Sequence, residues 1–157
     1  MLLPAEGDFR LDDDQATARL GAAVAGALEP GEAVCLWGPL GAGKSTLARG
    51  LIRALTQPDE EVPSPTFTLV QFYETPQLSV AHFDLYRLAG YGEVEELGLD
   101  EALDAGAVVI EWPERLDGHL PQNRLDIEIS IERSGESDSR LARLTPHGRW
   151  EGRPIEF

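Results

Sequence analysis

Gly38-Pro39-Leu40-Gly41-Ala42-Gly43-Lys44-Ser45 decides how this chain reads, because it satisfies G-x-x-x-x-G-K-[ST], the phosphate-binding loop pattern. Lys44 is the only lysine in the 157 residues; every other basic side chain apart from histidine is an arginine. Glycines let backbone N–H groups converge on an anion, and a following helix adds the positive end of its dipole. In such a loop the lysine reaches the β and γ phosphates of a nucleotide and the hydroxyl of Ser45 ligates Mg²⁺.

The pattern requires a buried strand before it and a helix after it. Ala33-Val34-Cys35-Leu36-Trp37 is a short apolar run entered from the Pro30-Gly31 turn. Ser45 to Leu55 repeats apolar residues at helical spacing. Both conditions are met.

Further out, Asp12-Asp13-Asp14 supplies an N-cap for a helix running through Ala16, Leu20, Val24 and Leu28 to the stop at Pro30-Gly31. Pro58, Pro63 and Pro65 punctuate a non-helical connection. It delivers Thr66 to Tyr73, whose β-branched and aromatic residues predict a strand, and Ser79 to Asp84 returns as its hairpin partner. Gly92 to Leu103 predicts one or two short helices broken at Gly98. Ala107 to Glu111 is a continuous apolar run, the mark of a strand buried on both faces. Leu125, Ile127, Ile129 and Ile131 alternate with polar residues, and Ser134-Gly135-Glu136 turns that strand into Arg140 to Leu144. The expectation is one α/β domain over residues 1–157: a P-loop NTPase-like mixed sheet flanked by helices, with a C-terminal β-hairpin.

Two of the apolar strands end in a carboxylate, Asp84 and Glu111. Ligands of open α/β sheets sit beyond the carboxyl ends of parallel strands, so acids there face the nucleotide. Asp84 is assigned to hold Mg²⁺ opposite Ser45. Glu111 is either a second acid near the metal or the group that orients the attacking water. Thr66, leaving Ser64-Pro65, has the character of a switch threonine that reads the γ-phosphate. Trp112 is either an interior aromatic or a wall against the nucleotide or a partner. His82 reads as a structural histidine, because no cysteine or second histidine near it offers metal spacing.

Composition excludes other classes. A formal net charge of -15 argues against a chain that grips nucleic acid by itself. The acid excess between Glu93 and Asp104 is either a solvated face or a docking surface for a basic partner. One cysteine, Cys35, lies within a predicted strand and excludes disulfide scaffolding. No apolar run approaches the roughly 18 to 20 residues that cross a bilayer, and no signal-peptide pattern opens the chain, so the expected compartment is the cytoplasm, with no membrane contact.

Four segments in order carry a family resemblance: Gly38 to Thr46, Ser64-Pro65-Thr66-Phe67-Thr68-Leu69-Val70, His82-Phe83-Asp84-Leu85-Tyr86-Arg87-Leu88, and Val109-Ile110-Glu111-Trp112-Pro113. They resemble the TsaE (YjeE) family, a bacterial ATPase required for threonylcarbamoyladenosine next to the tRNA anticodon. The resemblance implies a small ATPase with slow intrinsic turnover that cycles a complex with TsaD and TsaB, touching tRNA only through that complex. It implies that the loop residues Gly38, Leu40, Gly41, Ala42 and Gly43, together with Lys44, Ser45, Thr46, Asp84 and Glu111, contact ATP or Mg²⁺. The same resemblance implies that Thr66 and Trp112 lie in that site and that Asp14, Thr17 and Arg140 approach the adenine side. Pro39, where the family usually has an acidic or amide residue, and Ser45, where threonine is commoner, are departures that leave backbone and hydroxyl in place.

Two other functions compete. A small-molecule kinase would use the same loop, but it needs a lid of paired arginines to exclude water, and the longest loops here are acidic and arginine-poor. A GTP-dependent switch would need a second lysine in an N-K-x-D base reader, and the chain has none. Arg87, close after Asp84, is either an arginine finger in cis or a surface arginine.

Overall fold

The computed structural model describes residues 1–134 and 137–157, the side chains of Ser134, Ser137 and Asp138 excepted. The chain opens with β1 (Leu2–Pro4) and β2 (Gly7–Leu11), turns into α1 (Asp14–Ala25), and continues through β3 (Ala33–Trp37) into α2 (Lys44–Leu55). β4 (Val70–Tyr73) and β5 (Val80–Asp84) lead to two short helices, α3 (Tyr91–Glu96) and α4 (Leu99–Ala105), and then to β6 (Ala107–Glu111). A 3₁₀ turn over Pro113–Leu116 precedes the long strands β7 (Arg124–Ser134) and β8 (Ser137–His147), and β9 (Pro154–Glu156) closes the chain.

Seven strands form one mixed sheet in the order β2-β8-β7-β3-β6-β5-β4. The central strands β7, β3, β6 and β5 are parallel, while β4 and the β8–β2 pair are antiparallel additions at the two edges. β1 and β9 pair separately. Because side chains alternate along a strand, Val34, Leu36 and Val109 face α1 and α2 in one core, whereas Ala33, Cys35, Phe83 and Ile110 join Val94, Leu99 and Leu116 in the other. Every residue of β5 and β6 is buried, as covered parallel strands require.

α1 and α2 touch backbone to backbone. A Cβ added at Gly21 would lie 2.2 Å from Leu47 O, and one at Gly50 would lie 2.4 Å from Ala18 O. Two glycines facing in opposite directions thus fix how α1 supports the helix that follows the loop. Gly21→Ala is expected to cost about 1–3 kcal/mol through overpacking against backbone that cannot yield. A melting curve superimposable on that of the unmutated chain would refute it.

The structure corrects several expectations. The segment Thr66 to Leu69 is a turn rather than strand: Leu69 adopts φ 70° and its N–H donates to Pro65 O at 2.7 Å. The prolines thereby override β-propensity, and pairing begins only at Val70. α1 ends at Ala25, ahead of Gly26, because glycine disfavours helix continuation; Leu28 still packs into the core. The Asp12 to Asp14 cluster does cap α1, with Asp13 accepting from Ala16 N at 2.8 Å. The break at Gly98 separates α3 from α4 as expected. β7 and β8 make the expected hairpin, whose turn at Gly135-Glu136 lies outside the described residues.

Candidate functional site

The loop between β3 and α2 is shaped by backbone that other residues would not tolerate. Gly38 has φ 140°, and a Cβ there would sit 2.4 Å from Ile129 O on the neighbouring strand. Gly43 has φ 113° and caps α2. Gly38→Ala would therefore have to displace β7 or the loop itself, and it is expected to abolish ligand binding at the loop; calorimetric titration with ATP checks this. Arg140, on β8, closes the loop from outside: its Nε donates to Ala42 O at 2.9 Å and its Nη2 to Gly41 O at 3.4 Å. Pulling these carbonyls outward leaves the N–H groups at the start of α2 for the cleft.

That cleft holds about 450 Å³ beyond the carboxyl ends of β3, β5 and β6. Asp14, Leu40, Gly41, Gly43, Lys44, Ser45, Thr46, Thr66, Asp84, Glu111, Trp112 and Arg140 of the expected residues line it. Gly38, Ala42 and Thr17 do not: Gly38 O accepts from Lys44 Nζ, Ala42 is buried, and Thr17 packs behind Gly43 with its hydroxyl on Asp13 O. Ser64 and Tyr86 line the cleft although sequence reasoning passed over them.

Lys44 is 5% exposed, with its ammonium 3.4 Å from the centroid of the Trp112 ring. Burial pushes its pKa below the ordinary lysine value, opposed by the negative charges of Glu111, Glu114 and Asp84. Trp112 holds this pose through an unusual backbone, φ 62°, immediately before Pro113, and its ring lies 4.8 Å from that of Tyr86. It is a wall of the cleft rather than an interior aromatic.

The two acids are held differently. Asp84 accepts from Tyr86 N at 3.0 Å and from the Thr66 hydroxyl at 3.3 Å, and Thr66 is within 3.0 Å of Ser64 Oγ. Glu111 accepts from the Ser45 hydroxyl at 3.1 Å, and its second oxygen lies 2.6 Å from His82 Nε2. His82 is thus a residue whose part in the site sequence reasoning missed. Its signal was the alternation that places His82 and Asp84 on one face of a strand.

A helix N-terminus, a lysine and positively bent glycines suit a polyanion, while carboxylate and hydroxyl oxygens on the opposite wall suit a hard cation. Fold and cleft together define a mixed α/β protein with a cleft beyond the carboxyl ends of its parallel strands, where open α/β sheets place their ligands. Residues 11–141 match the family described as "Threonylcarbamoyl adenosine biosynthesis protein TsaE". The chain belongs to the TsaE family.

Its relatives include proteins named "tRNA threonylcarbamoyladenosine biosynthesis protein TsaE" in several bacteria. That of Rickettsia bellii is 36% identical over 135 residues, covering 86% of this chain and 92% of the relative. That of Bacillus subtilis is 36% identical over 141 residues, covering 89% and 84%. The crystal structure of Bacillus subtilis YdiB superimposes with a TM-score of 0.72 at 28% identity, covering 96% of this chain and 90% of that one. Among the described residues no helix is long and apolar enough to cross a membrane.

Proposed function

We propose that this chain is a magnesium-dependent P-loop ATPase of the cytoplasm that serves the biosynthesis of threonylcarbamoyladenosine in tRNA. It works with TsaD and TsaB proteins and meets tRNA only through that assembly. The observation that carries the reading is the single cleft in which Lys44, Ser45 and the start of α2 stand across from the strand-end acids Asp84 and Glu111. Family membership supports the pathway, and the net charge of -15 supports indirect contact with tRNA.

Within this reading each residue has a task. Loop N–H groups and Lys44 bind the phosphates and hold positive charge where negative charge builds up as the β–γ bond breaks. Leu40 and Asp14 stand at the cleft's rim, Arg140 keeps the loop in shape, and Trp112 and Tyr86 exclude water from one side. Thr66, bonded to Asp84 from a turn rather than a strand, is placed to respond to what occupies the site.

The residues fit Mg²⁺. Among the described residues no three His, Cys, Asp or Glu side chains form a metal cage, but Mg²⁺ keeps several waters and takes phosphate oxygens, so one or two protein oxygens suffice. Ser45 and Asp84 supply them, with Glu111 behind the Ser45 hydroxyl. When bound, the ion neutralises charge between the phosphates.

Asp84→Asn is expected to raise the Mg²⁺ concentration for half-maximal hydrolysis by about tenfold or more, since a unit charge beside a divalent ion is lost. An unchanged Mg²⁺ titration would reassign the metal ligand. The reading as a whole is tested by phosphate release from ATP, with and without small hydroxyl acceptors, and by recovery of TsaD and TsaB on the tagged chain with ATP present. Turnover that depends on a small acceptor would favour the kinase alternative, and tighter binding of GDP than ADP would overturn the choice of base. The geometry already weighs against a kinase lid: Arg140, the one arginine among the described residues that line the cleft, is engaged with loop carbonyls.

A further inference from the structure

Glu111 ends β6 with both carboxylate oxygens engaged, one by Ser45 and one by His82. The register explains the second contact. β5 and β6 run parallel with His82 opposite Val109 and Asp84 opposite Glu111, so all four residues share one face. His82 sits one pleat behind Asp84 and meets Glu111 on the diagonal. The pair is 1% and 3% exposed, and a carboxylate that deep requires a donor on each oxygen.

A carboxylate oxygen only accepts, so Nε2 carries the proton of the 2.6 Å contact. His82 Nδ1 is buried without a partner. The ring therefore makes one hydrogen bond, and Glu111 receives it.

We propose that His82 is a positioning residue: it pins one oxygen of Glu111 so that the other aligns the Ser45 hydroxyl, whose lone pairs then face the cleft. This deepens the ATPase reading and rests on it. Glu111, with one oxygen held by the buried imidazole and the other by the Ser45 hydroxyl, acts through Ser45; Asp84, held by Tyr86 N and the Thr66 hydroxyl, has no such link to Ser45. Partners of ligating groups commonly matter 10–100-fold.

Three measurements test this. His82→Leu keeps an apolar side chain of similar bulk and removes the donor; it is expected to lower kcat roughly 10–100-fold and weaken calorimetric binding of Mg²⁺ with ATP by a similar factor. KM for ATP and binding of ATP in EDTA should change little, because loop and Lys44 provide them. His82→Gln, which restores an N–H at comparable reach, should recover most of the loss. In the unmutated chain without nucleotide, imidazole ¹⁵N spectra should show a protonated Nε2 and a bare Nδ1 for His82, and Glu111→Gln should move that Nε2 signal.

A proton on Nδ1 instead, or a folded His82→Leu chain with unchanged Mg²⁺ requirement and kcat, overturns the inference while leaving the ATPase reading intact. Failure of the unmutated chain to bind ATP removes both. The spectrum is read on the unmutated chain, so it decides even where the leucine variant does not fold.

Discussion

Replacing Lys44 by alanine is expected to lower ATP turnover by roughly 10²–10³-fold or more, the scale seen when one fixed donor to developing charge is removed. The structure explains why no neighbour compensates. Lys44 is the only lysine in the chain, and Arg140, the one arginine among the described residues that line the cleft, is held against the loop by bonds from Nε to Ala42 O and from Nη2 to Gly41 O. Lys44 itself rests on Gly38 O and over the Trp112 ring, a site whose burial disfavours its charge. A polyphosphate entering the cleft offers that ammonium a stronger partner than a carbonyl and an aromatic face, so binding and repositioning are one event. Lys44→Arg should not rescue, because a planar fork cannot occupy the place of a compact point charge between loop and ring. Turnover within a few-fold of normal in a folded Lys44→Ala chain would remove the basis of the proposed activity.

The loop and the two strand-end acids are legible in the sequence because their chemistry depends on residue type at fixed local spacing. Gly38 to Ser45 needs only eight positions, and the apolar runs before Asp84 and Glu111 announce where parallel strands stop. Their pairing across β5 and β6 places both acids at one level of the sheet, so the local reading carries over into three dimensions. Other parts depend on long-range partners. That Arg140, which lines the cleft, also lies on the loop's carbonyls depends on β8, a contact across 98 residues. His82 looks merely structural until the register brings Glu111 to it. Thr66 to Leu69 has the composition of a strand, yet Pro63 and Pro65 set a turn whose closing bond is Leu69 N to Pro65 O. The three- to five-residue strands β1, β2 and β9 are too short for periodicity to separate from loop.

The clearest case of such a hidden dependence is Glu32, and it supports the second large prediction: Arg153→Ala is expected to destabilise the chain by about 3–5 kcal/mol. Glu32 is fully buried, between α1 and β3, where a lone carboxylate is costly. Arg153, more than a hundred residues later, meets it with a two-pronged contact at 2.6 and 2.8 Å and also donates to Ala27 O and Glu29. Its guanidinium lies 4.6 Å from the Trp150 ring centroid, and the pairing with Glu32 raises its pKa above the ordinary arginine value. Arg149, at 3.5 Å from Glu32, is more exposed and too distant to take over both oxygens. Truncation therefore leaves a buried charge with only one distant cation and a backbone N–H from Glu29. For a chain of this size the loss corresponds to a fall in melting temperature of roughly 6–20 °C. The double substitution Glu32→Leu with Arg153→Met should recover much of it, since removing both partners also removes the desolvation cost. Because these residues lie apart from the cleft lining, ATP binding by the folded fraction at low temperature should be nearly unchanged. An Arg153→Ala chain that melts within 2 °C of the unmutated one would show that Glu32 is satisfied without the C-terminal segment.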